Sequence, residues 1–528
     1  MTHADTAQND RAAPRDTMDH IALHARLRPH RLAIRDLDGT QSLTYAQLDA
    51  RVERCVSYLG HAFGDLRGAR IGTLARNRGD LLVLQIACAR SGAIYTPYNW
   101  RLAAPEIAFL IEDSAPRLLV HDADFDALIA GVKDKHPALE VLRVSPERDA
   151  FDAALASAPA PRKRTGQALI DADAPSIMLY TSGTTGRPKG VLFTERNAFF
   201  SAITFSLQAR VDSGSVFLCE PPLFHVAALL AAARTTLLQG GTLLVSRGFD
   251  PVESFRRLTD PALGVTNTFL VPQMARMMRN APGFDGKKLA HLRSVISGGA
   301  PHPAADVRRW LDDGVRMLDG FGMSEVGSVT AMPIDDLERV KTKAGSCGLP
   351  GIVTQLRLVD GEGRDVAPGA VGELWVKTPT LSPGYWNRPD ATGASRTPDG
   401  WFKTGDAGRF DEDGFLYLVD RLKDMYISGG ENVYPAEVEA AIAEMAGIAD
   451  VAVIGVGDEK WGEVGAAYVV VAAGASLTPE AVVDHCRSRL ARYKAPATVT
   501  LVAAIPRNAA GKLQKHVLRD QHARGEAR

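Results

Sequence analysis

Tyr180-Thr-Ser-Gly-Thr-Thr-Gly-Arg-Pro-Lys-Gly-Val191 is the stretch on which the reading of this chain turns. It follows an apolar run, Ile177-Met-Leu, that reads as a strand. Gly183, Gly186 and Gly190 let the backbone approach an anion closely. The hydroxyls of Thr181, Ser182, Thr184 and Thr185 can donate to phosphate oxygens, and Arg187 and Lys189 add positive charge. The segment is not a Walker A loop, which needs its lysine followed by Ser or Thr; here Lys189 is followed by Gly190. A Gly/Ser/Thr-rich loop can also be a plain solvated connection. The ordered mixture of hydroxyl, glycine and base in one short stretch favours a phosphate cradle.

Outward from this loop, apolar runs alternate with helical patterns, as expected for α/β layers. On the N-terminal side, residues 32–35, 70–73 and 118–121 read as strands, and 81–91 as a helix followed by an apolar turn at 92–97. Residues 157–164 read as a loop, and alternation resumes over 176–318. From residue 344 the pattern changes to glycine, proline and short alternating strands such as Leu356-Arg-Leu-Val and Glu373-Leu-Trp-Val, a β-rich subdomain at about 344–420. Past it, Val438, Ala441, Ile442 and Met445 fall on one face of a helix opened by Pro435. Expected strands at 451–456, 467–471 and 499–502 and a helix at 479–490 complete a small α+β unit, about 100 residues long, an ordinary domain size.

Bulk properties bound the function. The 528 residues exceed one ordinary core, and a net charge of −1 offers no global field for nucleic acid. Cys55, Cys88, Cys219, Cys347 and Cys486 show no C-x-x-C spacing, which argues against a zinc ribbon or dithiol centre; each reads as a small buried residue. The polar start, residues 1–17, reads as a flexible tail with no apolar leader, and the apolar run 226–233 is too short to span a bilayer. A cytoplasmic protein without a transmembrane segment is expected.

Residues 181–190 resemble the signature loop of the adenylate-forming superfamily, which holds acyl-CoA synthetases, carrier-protein adenylation domains and luciferases. Further matches follow in the family's order over residues 43–518. Ser297-Gly-Gly-Ala-Pro301 is similar to the adenine turn, which places Gly299, Ala300 and Pro301 against the base. Asp319-Gly-Phe-Gly-Met-Ser-Glu325 is similar to a motif ending Tyr-Gly-x-Thr-Glu. That match puts Asp319 and Gly322 in the nucleotide site, Phe321 on adenine, Ser324 on the α-phosphate and Glu325 on Mg²⁺, a hard ion that takes few protein ligands. Phe for Tyr and Ser for Thr keep the aromatic face and the hydroxyl. Gly400-Trp-Phe-Lys-Thr-Gly-Asp406 implies that Asp406 holds the ribose; Asp420-Arg-Leu-Lys-Asp424 implies the same for Arg421 and a hinge at Lys423. Pro506-Arg-Asn-Ala-Ala-Gly-Lys-Leu513 implies that Lys512 bridges carboxylate and phosphate during adenylation.

The resemblance also implies the rest of the machinery. Pro221-Pro-Leu-Phe-His-Val226 puts His225 beside the acid and the thiol path. The acyl pocket would be formed by His225, Val226, Ala227, Ala228, Phe269, Gly298, Gly320, Gly327 and Ser328, mostly small and uncharged. Arg234, in an apolar stretch, is expected to snorkel to solvent or, failing that, to read a second polar group on the substrate. Ser428, Gly429, Gly430 and Trp461 would line the thiol tunnel. The implied fold is α/β: a tail at 1–17, a large layered N-terminal portion at 18–422 and a mobile C-terminal α+β domain at 423–528. The implied activity is ATP-dependent ligation of a medium- or long-chain fatty or aromatic acid to coenzyme A, with Thr181, His225, Glu325 and Lys512 as catalytic residues. A carrier-protein thiol as acceptor, a luciferase-like oxygenase and a non-catalytic scaffold stay as alternatives, and a homodimer stays open.

Overall fold

The computed structural model describes residues 16–39, 41–144, 150–161, 169–181, 188–300, 302–421, 424–429, 431–507 and 513–525. Two large sheets organise its N-terminal portion. One has six strands in the order Lys189–Thr194, Pro175–Thr181, Ile94–Pro97, Arg70–Leu74, Leu118–Asp122, Glu140–Val144. The other has nine: Leu349–Pro350, Gly327–Ala331, Met317–Met323, Ser294–Ser297, Asn267–Phe269, Val216–Cys219, Thr242–Val245, Leu32–Asp36 and Ser42–Thr44. Both sheets are parallel at the centre; the nine-stranded one turns antiparallel at both edges, the six-stranded one only at Lys189–Thr194, since Glu140–Val144 pairs in parallel. The segment read as an apolar turn at 92–97 is a strand, Ile94–Pro97, buried throughout; β-branched and aromatic side chains satisfy a strand whose neighbours lie far away in sequence.

The helix Gly79–Ser91 explains how the sheets are joined. Every residue from Gly79 to Ala89 is buried, so this helix has no solvent face. It touches strands of both sheets, and its side chains share one core with theirs. The β-rich part is a four-stranded antiparallel sheet of Gln355–Val359, Gly372–Lys377, Phe402–Phe410 and Leu416–Arg421. The C-terminal unit is a five-stranded sheet with helices Pro435–Ala443, Pro479–Arg489 and Lys515–Ala523. At its N-terminal end, Asp16–Met18 pairs with Leu169–Asp171, so the expected tail closes on a strand. No described helix is long and apolar enough to cross a membrane. Cys55, Cys88, Cys219 and Cys486 are buried thiols, as read from the sequence, and Cys347 is half-buried.

Two buried carboxylates in this core behave in opposite ways. Arg234 does not snorkel: it is 6% exposed, and its guanidinium lies 2.5 Å from Glu195, the first residue of the helix Glu195–Ala209. Ser176 Oγ donates to the same carboxylate at 2.5 Å. Burial pushes the Glu195 carboxyl up, but the charge of Arg234 and these hydrogen bonds outweigh it and hold it below its usual range. Glu220, at the end of the strand Val216–Cys219, has a poorer partner, Arg257 at 3.4 Å, which Asp38 shares at 2.5 Å. Burial therefore dominates and pushes Glu220 up to about 7.

Arg234→Met should leave a lone buried charge on Glu195 and cost about 3–5 kcal/mol, read as a large drop in Tm. Adding Glu195→Gln should recover part of that loss. Glu220 binds its proton more tightly folded than unfolded. Its stabilising share is thus full below the unfolded value and lost as pH rises towards 7. Melting curves at pH 5 and 7.5 should show a smaller decline for Glu220→Gln than for the parent; equal declines would remove Glu220 as the source.

Candidate active site

The phosphate-loop candidate is the connection of a β-hairpin. Thr181 and Lys189 face each other in register at the ends of Pro175–Thr181 and Lys189–Thr194, and Thr181 Oγ1 donates to the Lys189 carbonyl at 3.5 Å. Ser182, Gly183, Thr184 and Thr185 lie between them, outside the described residues. The hairpin's outer strand is stitched to a segment of the β-rich region. Leu192 N donates to Gly384 O at 3.0 Å, and Trp386 N donates to Gly190 O at 2.7 Å. This pairing carries Tyr385 to the site. Its ring lies under Lys189 Nζ, 5.3 Å from the centroid, and its hydroxyl donates to Glu325 Oε1 at 3.0 Å. Three sequence-distant segments thus meet: the lysine, an aromatic and the carboxylate. Sequence reasoning missed Tyr385, whose setting, Ser382-Pro-Gly-Tyr-Trp, has no periodicity and reads as an ordinary turn.

Glu325 and Ser324 stand on a tight turn. The strand Met317–Met323 starts in the parallel sheet with Met317 and Leu318 buried, emerges at Gly320–Met323, and reverses into Gly327–Ala331. The turn is fixed from outside by Ser382 N, which donates to Glu325 O at 2.8 Å. Asp319, on the same strand, has its carboxylate 2.8 Å from His302 Nδ1, from which it can accept a hydrogen bond, tying the motif to the segment after the turn at Gly299. In that turn Gly299 has φ +82°, and nothing lies within 4 Å of where its Cβ would stand. Gly299 and Ala300 are exposed, an open shelf of backbone that fits a flat base; Pro301 lies outside the described residues. Phe321 is half-buried at the border of the core cluster that includes Val326, Val329 and Leu358.

Asp406, 6% exposed, sits directly opposite Arg421 on adjacent antiparallel strands, so the two residues read as ribose ligands are cross-strand neighbours. The Arg421 side chain and Lys423 lie outside the described residues. Cys347 shows that the motifs converge: burial, Asp319 and Asp406 together push its thiol up to about 12. Glu325 fits a magnesium ligand, because that ion binds through one or two carboxylates plus phosphate and water. Among the described residues no cluster of three or more His, Cys, Asp or Glu side chains could hold a metal by itself.

His225 opens the helix after the buried strand Val216–Cys219. Its Nδ1 accepts from Ala227 N at 3.4 Å. Asn77, also missed, clamps the preceding loop: its amide donates to Pro221 O and accepts from Leu223 N, both at 2.8 Å. The residues after Val226 form a π-helix, Ala227–Arg234, a wide and rare form that recurs at functional sites. It packs against Asn267–Phe269, Gly327–Ala331 and Glu195–Ala209. The elements that carry Ala227, Ala228, Phe269 and Gly327 therefore pack against one another. Gly298 and Gly320 are held small by the neighbouring backbone. A Cβ at Gly298 would lie 2.7 Å from Gly320 O, and one at Gly320 2.7 Å from Thr330 O, so close strand approach requires glycine there.

The tunnel candidates gather on the C-terminal unit. Ser428 is buried opposite Gly462, and Gly429 N donates to Trp461 O at 2.9 Å. Gly429 has φ +61°, and a Cβ there would meet the Trp461 ring at 2.9 Å. Gly430 lies outside the described residues, and Trp461 is 48% exposed. Lys512 is outside them too; described residues on either side of it make ion pairs. Arg507 pairs with Asp450 at 2.7 Å, and buried Lys515 meets Glu439 at 2.9 Å and Asp420 at 3.7 Å.

Comparison with known proteins agrees with this geometry. Residues 21–386 match the family model of AMP-binding enzymes, and residues 437–512 match that of the AMP-binding enzyme C-terminal domain. A feruloyl-CoA synthase of Amycolatopsis sp is 38% identical over 94% of this chain and 96% of its own. The long-chain-fatty-acid–CoA ligase FadD13 of Mycobacterium tuberculosis is 36% identical over 91% and 93%. The crystal structure of ATP-bound MatB from Rhodopseudomonas palustris superposes with a TM-score of 0.86, at 32% identity, covering 96% of this chain and 99% of its own. The chain belongs to the AMP-binding enzymes of the adenylate-forming superfamily, and within it is an ATP-dependent acyl-CoA ligase.

Proposed function

We propose that the chain joins an apolar-bodied monocarboxylic acid, a fatty acid of medium or long chain or an aromatic acid, to coenzyme A through an acyl-adenylate. Pyrophosphate leaves in the first half-reaction and AMP in the second. The observation that carries this reading is the meeting of Lys189, Tyr385 and Glu325 at the end of the hairpin. It places a cation and a metal-competent carboxylate where the hydroxyl loop begins.

In this reading the acid's carboxylate oxygen attacks the α-phosphorus and the bond to pyrophosphate breaks. Two anions must approach, and the chain's task is to offset their repulsion. Thr181, Ser182, Thr184, Thr185 and the backbone at Gly183 hold the departing phosphates, with Lys189 beside them. Ser324 contacts the α-phosphate, and Lys512 bridges it to the carboxylate. Magnesium, held by Glu325, supplies charge neutralisation on the phosphate oxygens when bound. Gly299, Ala300, Pro301, Gly322 and Phe321 receive adenine, Asp406 and Arg421 the ribose. For the second half-reaction the C-terminal domain turns about Lys423 and brings Ser428, Gly429, Gly430 and Trp461 to the thiol path beside His225. The half-exposed Trp461 supports this, as an aromatic surface awaiting cover.

The pocket residues support a single-carboxylate substrate. Ala227, Ala228, Phe269 and Gly327 offer no charge, and Arg234 is consumed by Glu195, so it is not available to a second carboxylate.

A pyrophosphate-release screen with ATP, Mg²⁺ and CoA should peak among fatty acids of graded length, benzoates or cinnamates, and stay low with dicarboxylates. A peak with dicarboxylates would overturn the pocket assignment. Lys512→Ala should abolish adenylation yet still form thioester from supplied acyl-AMP; equal loss of both half-reactions would reject the bridging role.

A further inference from the structure

We propose that Lys515 is a positioning residue for adenylation: through Asp420 it fastens the C-terminal domain to the nucleotide-binding portion in the orientation that this half-reaction uses. The inference rests on the ligase reading above, in which that domain turns about Lys423 between the half-reactions and Lys512 serves the first.

The helix Lys515–Ala523 meets the chain on both sides of that pivot. Lys515 Nζ lies 3.7 Å from Asp420, which precedes Lys423, and Arg519 donates to Asp424, which follows it, at 2.8 Å. Lys515 and Arg519 stand one turn apart, so one face of the helix makes both contacts. A turn about Lys423 treats the two pairs differently. Asp424 and Arg519 both follow the pivot and travel together. Asp420 precedes it and stays with the strand Leu416–Arg421, so the pair with Lys515 spans the moving boundary.

Asp420 is held in register beside the residues read as ribose ligands. It lies opposite Ala407, while its neighbour Arg421 lies opposite Asp406. Its carboxylate also accepts from Ala436 N at 2.8 Å, in the first turn of Pro435–Ala443. One carboxylate of the N-terminal portion thus meets a backbone N–H and an ammonium of the C-terminal domain. Lys515 is buried and also meets Glu439 at 2.9 Å, whose carboxylate accepts from Val453 N at 2.7 Å. A buried cation and its carboxylates are costly to part, so they favour the one arrangement that keeps them together. Lys515 stands close after Lys512 in the chain. The described residues on either side of Lys512 lie together: Arg507 and Leu513 form an antiparallel bridge, and Gln514 N donates to Pro506 O at 2.9 Å. Securing Lys515 at Asp420 therefore sets where this part of the domain stands relative to the ribose pair.

The test separates the half-reactions in full-length enzyme. Adenylation is read as single-turnover pyrophosphate release from ATP and Mg²⁺ with the acid that peaks in the screen above, cinnamate and dodecanoate being tried first. The thiol step is read as thioester formed from the matching acyl-AMP and CoA. Lys515→Met and Asp420→Asn should each slow adenylation by about tenfold to a hundredfold, the scale set by misplaced groups, and leave the thiol step within about twofold. Lys515→Arg, which keeps the cation, should restore most of the loss. Arg519→Met, whose pair does not cross the pivot, should leave the ratio of the two rates at the parent value. Asp420→Asn keeps the shape and the bond from Ala436 N, so it decides the matter if Lys515→Met does not fold. Equal slowing of both half-reactions, no slowing of either, or Arg519→Met behaving like Lys515→Met would overturn the positioning role and leave the ligase reading intact. Absence of pyrophosphate release by the parent enzyme with every acid would overturn the ligase reading, and this inference with it.

Discussion

The hydrogen bond from the Tyr385 hydroxyl to the Glu325 carboxylate is the contact around which the site is assembled. It joins the β-rich region to the turn that ends the parallel part of the nine-stranded sheet, and the same ring lies under Lys189 at the edge of the six-stranded sheet. Three subdomains therefore share one tyrosine. A polyphosphate needs donors and cations converging from several sides, and no single element can supply them. Edge strands are where sheets can be bonded to each other by their free backbone groups, which is how 384–386 joins Lys189–Thr194.

The core behind the site deals with charge in two ways. Arg234 and Glu195 neutralise each other at the end of the π-helix, whose other residues are uncharged. Glu220 instead remains underpaired, with its pKa raised by burial, just before the loop that Asn77 clamps ahead of His225. The first arrangement keeps a buried ion pair closed on itself. The second places a proton-sensitive group two prolines and a turn away from the residue proposed to stand at the acid and the thiol.

Much of the fold was legible because its elements are written locally. The expected strands at 32–35, 70–73 and 118–121 are found as Leu32–Asp36, Arg70–Leu74 and Leu118–Asp122, and the helix face of Val438, Ala441 and Ile442 is buried. The segment at 92–97 was misread as a turn because Gly92 and Pro97 punctuate it; its strand pairing comes from Arg70–Leu74 and Pro175–Thr181. The Glu325 turn and the hairpin ends at Thr181 and Lys189 come from motifs that stand out in the sequence because each is packed into a few consecutive residues; Ser182 to Thr185 and Lys512 lie outside the described residues. Tyr385, Asn77 and His302 were not legible, since each acts through a partner more than 15 residues away.

The sequence by itself therefore determined the family, the order of the motifs and the chemistry each carries, because hydroxyls, glycines and charges at fixed local spacing are sequence properties. Tertiary structure alone decided that Arg234 is spent on Glu195 rather than on a substrate, and that Gly298 and Gly320 are glycine for strand approach. It alone set Tyr385 between Lys189 and Glu325. The physical reason is common to all three: whether a polar group is satisfied, or a side chain has room, depends on neighbours that only folding supplies.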